Sequence, residues 1–250
     1  MSLTKGLGAI RESIANRGSY TPGEGIPELA IQSGEVALIH FLTDRDDIIE
    51  TRFHRIPETT QNQNVITRER LCRQEVGETC SNCNHQSEDI RRRTLRWYAW
   101  VYVYGILTPN DVPNAQQIQR GARTLNLMKC DTAAILRKGE GNNKYLINQL
   151  LTNGERYGTL CDRIYEWERT GTGMKDTSYL LAPLPDLAER PKVDNLESLE
   201  EIISKEKSLA AYPSRQRAQT SASARGTPII GDRTSQLMQL LKGSSDQPEL

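Results

Sequence analysis

The chain has 250 residues, with 32 Lys and Arg balancing 32 Asp and Glu, and 36% of its residues are hydrophobic. That length allows one large domain or two small ones, and the low apolar share confines the core to part of the chain. No apolar run approaches the roughly 18 residues of a membrane span and no targeting signal is visible, so a soluble, reducing compartment is expected.

Leu3, Leu7, Ile10 and Ile14 recur at helical spacing, which suits either a marginal helix that docks only on a partner or a frayed terminus; Thr21-Pro22-Gly23-Glu24-Gly25 breaks the pattern. The run Val36 to Leu42 predicts a buried strand, and Thr51 to Ile56 the next. Residues 57–90 carry almost no strand signal and hold three cysteines. A loop of that length inside a compact domain needs a staple or a function. Arg96 to Leu107 gives the strongest strand pattern. Its period of two puts Trp97, Ala99, Val101 and Val103 on one face and Tyr98, Trp100, Tyr102 and Tyr104 on the other.

Further strands are expected near Thr124 to Cys130, over Asp162 to Arg169 and over Ser178 to Ala182, with helices over Ala133 to Leu136 and Tyr145 to Leu151. One amphipathic helix is expected over 194–211, through Leu196, Leu199, Ile202 and Ile203. The polar stretch 212–232 reads as disordered, and Ser235 to Leu241 as a short docking helix. Several strands with few helices predict a mainly β (α+β) fold, a β-barrel with insertions rather than a βαβ fold. The organisation read from these signals is an N-terminal arm (1–29), a core (30–186) with an insertion at about 54–90, and a helix with a disordered tail (187–250).

Cys80 and Cys83 form a Cys-x-x-Cys turn flanked by Gly77, Asn82 and Asn84, with Cys72 upstream. Two thiolates on one tight turn reach a single ion, and Zn–S bonds of about 2.3 Å in a tetrahedral set suit that spacing. His54 is the favoured fourth ligand, with His85 as the alternative. Four protein ligands close a site, so the metal, Zn2+, is expected to be structural. A thiol redox pair or a disulfide is the competing reading of these cysteines.

Arg91, Arg92, Arg93 and Arg96 form a basic cluster that runs directly into the aromatic strand. Bases stack on aromatic rings at about 1–3 kcal/mol each without being read, and arginines meet phosphates with release of counterions. A single-strand platform formed by Tyr98, Trp100, Tyr102 and Tyr104 is one reading; an aromatic-rich core or a protein interface is the other. No P-loop, dinucleotide fingerprint or nucleophile motif is present, and the chain is expected not to be an enzyme.

Three stretches together resemble the single-stranded-DNA-binding proteins of tailed bacteriophages, the T4 gene-32-like group. They are the strand G-E-V-A-L-I-H-F-L-T-D from Gly34, the His then Cys…Cys-x-x-Cys set before the basic aromatic strand, and G-T-L-C-D-R-I-Y-E-W-E-R-T-G-T-G-M-K-D-T-S-Y from Gly158 to Tyr179. The resemblance implies an OB-type barrel with a zinc-binding subdomain, the ligand set His54, Cys72, Cys80 and Cys83, and a cleft for the strand. It also implies coating of single-stranded DNA in phage replication, recombination and repair, in the host cytoplasm. Replication proteins would be met through the C-terminal tail, and neighbouring copies through the N-terminal arm. The tail departs from the group: residues 212–245 hold more basic than acidic side chains. The rival function is a zinc-stapled protein-interaction module serving assembly or transcription.

Overall fold

The computed structural model describes residues 25–59, 63–112, 114–139, 144–171 and 176–212. Among these it contains ten strands and three α-helices. The strands are β1 (Ile26–Leu29), β2 (Val36–Phe41), β3 (Ile49–Thr59), β4 (Val65–Leu71), β5 (Arg93–Thr108), β6 (Gln116–Arg120), β7 (Arg123–Gly139), β8 (Arg163–Thr170), β9 (Ser178–Leu187) and β10 (Leu209–Tyr212). The helices are α1 (Glu88–Arg91), α2 (Lys144–Tyr157) and α3 (Leu199–Ser204). No described helix is long and apolar enough to cross a membrane.

The strands pair in the order β10-β1-β7-β5-β2-β8-β9, with β3 on β5, β4 on β3 and β6 on β7. β1 runs parallel to β7 and β10, and the other pairs are antiparallel. The architecture is therefore an open mixed sheet: the order ends on β9 and β10, and no described pairing joins them into a ring. β5 is the spine. It holds β7 along one edge, while on the other its first half pairs with β3 and its second half with β2.

The pleat sorts the core. Trp97, Ala99, Val101 and Val103 face a cluster with Phe41, Tyr165 and Trp167, roofed by Leu146 and Leu150 of α2. Tyr98 and Trp100 face a second cluster, closed by Leu199, Ile202 and Ile203 of α3. Val36, Leu38 and Leu107 form a third with Leu125 and Leu127, under the β6–β7 hairpin. That hairpin is held down by Arg120, which ion-pairs with the buried Glu166 and Glu168 of β8.

Several expectations are corrected. Ala133 to Leu136 is strand within β7, because β5 on one side and β1 on the other supply ladder partners. The stretch 57–90 contains β4, whose polar V-I-T-R-E-R-L is held by pairing with β3 and by Arg68 and Arg70 on Glu58. The helix expected over 194–211 is only α3 followed by β10. The chain turns between them at Glu206, which has a φ of 47°, a conformation that breaks helix. β1 and β10 lie in spans read as an arm and a tail, yet they pair with each other and β1 with β7. The helices expected near Leu3 and Ser235 fall outside the described residues.

Candidate metal centre and nucleic-acid interface

His54, Cys72, Cys80 and Cys83 converge, their ligand atoms all lying within 4.8 Å of one another. β3 presents His54, Cys72 follows β4, Cys80 caps the start of a 3-10 turn, Ser81–Asn84, and Cys83 lies within it. The Cys72 N–H donates to Arg52 O at 2.9 Å, tying the end of β4 back to β3. Gly77, at a φ of 78°, turns the chain between Cys72 and Cys80.

The geometry fits an ion. His54 Nε2 lies 3.5 Å from Cys80 Sγ and 3.4 Å from Cys83 Sγ, and Cys72 Sγ lies 3.5 Å from Cys83 Sγ. Bonds of about 2.0 Å to nitrogen and about 2.3 Å to sulfur in a tetrahedron give edges of about 3.5–3.8 Å. A disulfide requires about 2.05 Å between sulfurs, and all five cysteines are free. His54 Nδ1 donates to Ile90 O at 2.7 Å, so Nε2 is the nitrogen left with a lone pair facing the sulfurs. Burial pushes the Cys80 thiol up, but backbone N–H groups of Arg73, Cys83 and Asn82 outweigh it and hold the thiol down at about 6. Cys83 is pushed up to about 12 by burial and by the neighbouring thiols of Cys72 and Cys80. His85 is exposed, accepts from Ser87 N–H and stands outside the group. This buried donor set suits a four-coordinate metal ion bound without an open position.

The aromatic strip is divided. Tyr98 is 3% exposed and Trp100 is 8% exposed, with Trp100 Nε1 donating to Glu197 O at 3.0 Å. These two rings are core, so a platform of all four rings is corrected: Tyr98 and Trp100 follow the aromatic-core reading of the strand. Tyr102 and Tyr104 remain half-buried, edge to face at 5.0 Å, and they line a shallow recess of about 400 Å³ with Glu189, Arg190, Pro191 and Lys192.

The basic cluster is divided too. Arg91, Arg92 and Arg93 are exposed, and Arg93 donates to Gln74 Oε1. Arg96 is paired with Glu69. At about 3.3 Å per strand residue, Arg93 and Tyr102 stand about 30 Å apart along β5. The strand thus carries its cations at one end and its accessible rings at the other, with α3 between them.

A larger groove, of about 850 Å³, lies between the β3–β4 hairpin and β1, β7 and β10. Arg55, Arg68, Arg70, Arg96 and Arg137 line it against Glu28, Glu69 and Glu206. Arg137 reaches both Glu28 and Glu69. Lys138 also lines it, but its ammonium stands 4.7 Å from the Trp167 ring centre and 4.8 Å from that of Tyr179, where burial depresses its pKa to about 8. Sequence reading found only Arg96 of these five arginines. The others come from β3, β4 and β7, and the available signal was the alternation of Arg68 and Arg70 in β4.

No family model, curated protein or solved structure matches the chain.

Proposed function

We propose that this protein binds and coats single-stranded DNA without catalysing a reaction, in phage replication, recombination and repair. Zn2+ at His54, Cys72, Cys80 and Cys83 is the structural metal of this reading. The observation that carries it is the groove in which five arginines face three glutamates, one wall of which is the hairpin that carries His54 and leads into Cys72. Arginine guanidinium groups grip phosphates through paired N–H donors, and a neutral protein can still present a local positive field. Arg91 to Arg93 extend the cationic surface beyond the groove, and Tyr102 and Tyr104 offer rings to bases at the far end of β5. The OB-type core of this proposal is the antiparallel part of the sheet around β2, β5 and β8. Its metal would fix the hairpin that forms one wall of the groove.

Ultraviolet crosslinking to an oligonucleotide, followed by peptide mapping, tests the placement. Crosslinks should fall on peptides from β4, on the turn before β5 and on Tyr102 or Tyr104. Crosslinks confined to β9 would overturn it. The second reading, a zinc-stapled protein-interaction module, draws on Val65 and Ile66, which are 69% and 37% exposed on a strand paired only with β3. That reading predicts no strand crosslinks at any of these sites.

A further inference from the structure

The tyrosine recess adjoins an irregularity in the sheet. At Tyr104 the β5–β7 ladder slips: Val103 opposes Thr132 and Gly105 opposes Lys129, so Cys130 and Asp131 together face Tyr104. The β2 ladder slips at the same place, with Ile39 opposite Val103 and Leu38 opposite Gly105. Tyr104 is thereby lifted out of both ladders. Gly105 permits the close approach, since a Cβ there would stand 2.9 Å from Met128 O. Bulges of this kind re-aim side chains and recur beside binding sites.

The two bulge residues of β7 are treated differently. Cys130 is buried in the first core cluster. Asp131 is exposed and holds a φ of 44°, a backbone conformation that costs free energy for a residue other than glycine. Burial pushes the phenols of both Tyr102 and Tyr104 upward, and the Asp131 carboxylate adds to this, at Tyr104 after the neighbouring Tyr102. The rings themselves are held: Tyr104 Oη lies 3.4 Å from His40 Nδ1, and the buried His40 donates through Nε2 to Cys161 O at 2.9 Å. Arg190 and Lys192 stand at the rim beside Glu189, and Arg190 donates to Leu42 O.

We infer that Tyr102, Tyr104 and Asp131 form a base-selective subsite, in which a nucleobase stacks on the tyrosines and its amino group donates to the Asp131 carboxylate. The inference rests on the single-strand reading and adds selectivity to it. A carboxylate only accepts hydrogen bonds. Cytosine and adenine each offer it an exocyclic amino group, and guanine offers two adjacent donors. Thymine offers one ring N–H flanked by two carbonyl oxygens, which a carboxylate repels. Arg190 and Lys192 are placed to meet the flanking phosphates.

The test is a competition between oligo-dC and oligo-dT of equal length on the metal-loaded full chain and on its Asp131→Asn variant. Asparagine tolerates positive φ as well as aspartate does, so the variant keeps the bulge, and its amide both donates and accepts. The wild-type chain should favour dC by about 10-fold, within the range for one well-made base contact. Asp131→Asn should remove that preference while still binding both strands. Equal binding of dC and dT by the wild-type chain, or a preference that survives in Asp131→Asn, would overturn the subsite and leave single-strand binding standing. Failure of both oligomers to bind would remove the underlying reading, and the subsite with it.

Discussion

Stripping the metal should unfold the cysteine loop and spare the sheet. Within residues 72–92 only Cys72 and Cys80 are buried, so the loop has almost no apolar core of its own. Phe53 and Leu71 anchor the hairpin, and burying two such side chains yields about 3–6 kcal/mol. Ordering each backbone residue costs about 1–2 kcal/mol, and a metal bound as proposed would supply the stabilisation that this loop's few apolar contacts do not. Apparent structural zinc binding in small peptides contributes about 10–16 kcal/mol, an upper bound on what metal removal costs here. Even about 4 kcal/mol corresponds to roughly a thousandfold faster exchange for amides that open locally. Hydrogen-exchange mass spectrometry with and without a chelator measures this directly. Peptides over 72–92 should accelerate at least that much, while β2, β8 and the second half of β5 stay protected. Cys80→Ser should act like the chelator. Unchanged exchange over 72–92 after complete metal removal would refute the stapling argument.

Other perturbations have equally definite outcomes. Replacing Arg55 and Arg68 by Ala should lower the slope of log affinity against log salt by about 0.7 for each phosphate no longer neutralised, measured by titration at several salt concentrations. Ile202→Ala removes a side chain that roofs Tyr98 and Trp100, and should destabilise the protein by about 2–5 kcal/mol in a denaturant titration. Burial pushes the Asp44 carboxyl up, but hydrogen bonds from the Thr159 hydroxyl and the Leu160 and Arg45 amides bring it below the usual carboxylate range. A carboxyl depressed in the folded state adds stability above its unfolded pKa and loses it as pH falls through the folded value. The difference in Tm between the wild-type chain and Asp44→Asn should therefore be largest near neutrality and shrink below about pH 4.

The group of His54, Cys72, Cys80 and Cys83 was legible because the Cys-x-x-Cys spacing is a local property; Cys72 and His54 had to be brought to it by the β3–β4 hairpin. The alternation of β5 was legible for the same reason. Which of its rings meet water was not. Tyr98 and Trp100 are covered by α3, about a hundred residues later in the chain, and no local pattern encodes that cover. β4 escaped because its stabilisation lies in cross-strand pairing and ion pairs rather than in apolar side chains. Ala133 to Leu136 looked helical because a short apolar run has no period of its own, and its position between two strands decides its conformation. The arginine groove draws on β3, β4, β5 and β7, so it exists only once the sheet has formed.

The central claim is met most directly by fluorescence anisotropy of a labelled, mixed-sequence single strand titrated with metal-loaded protein at two salt concentrations, with the duplex as control. The account predicts saturable binding to the single strand that weakens steeply with salt and exceeds binding to the duplex. Absence of binding to the single strand at low salt would contradict it.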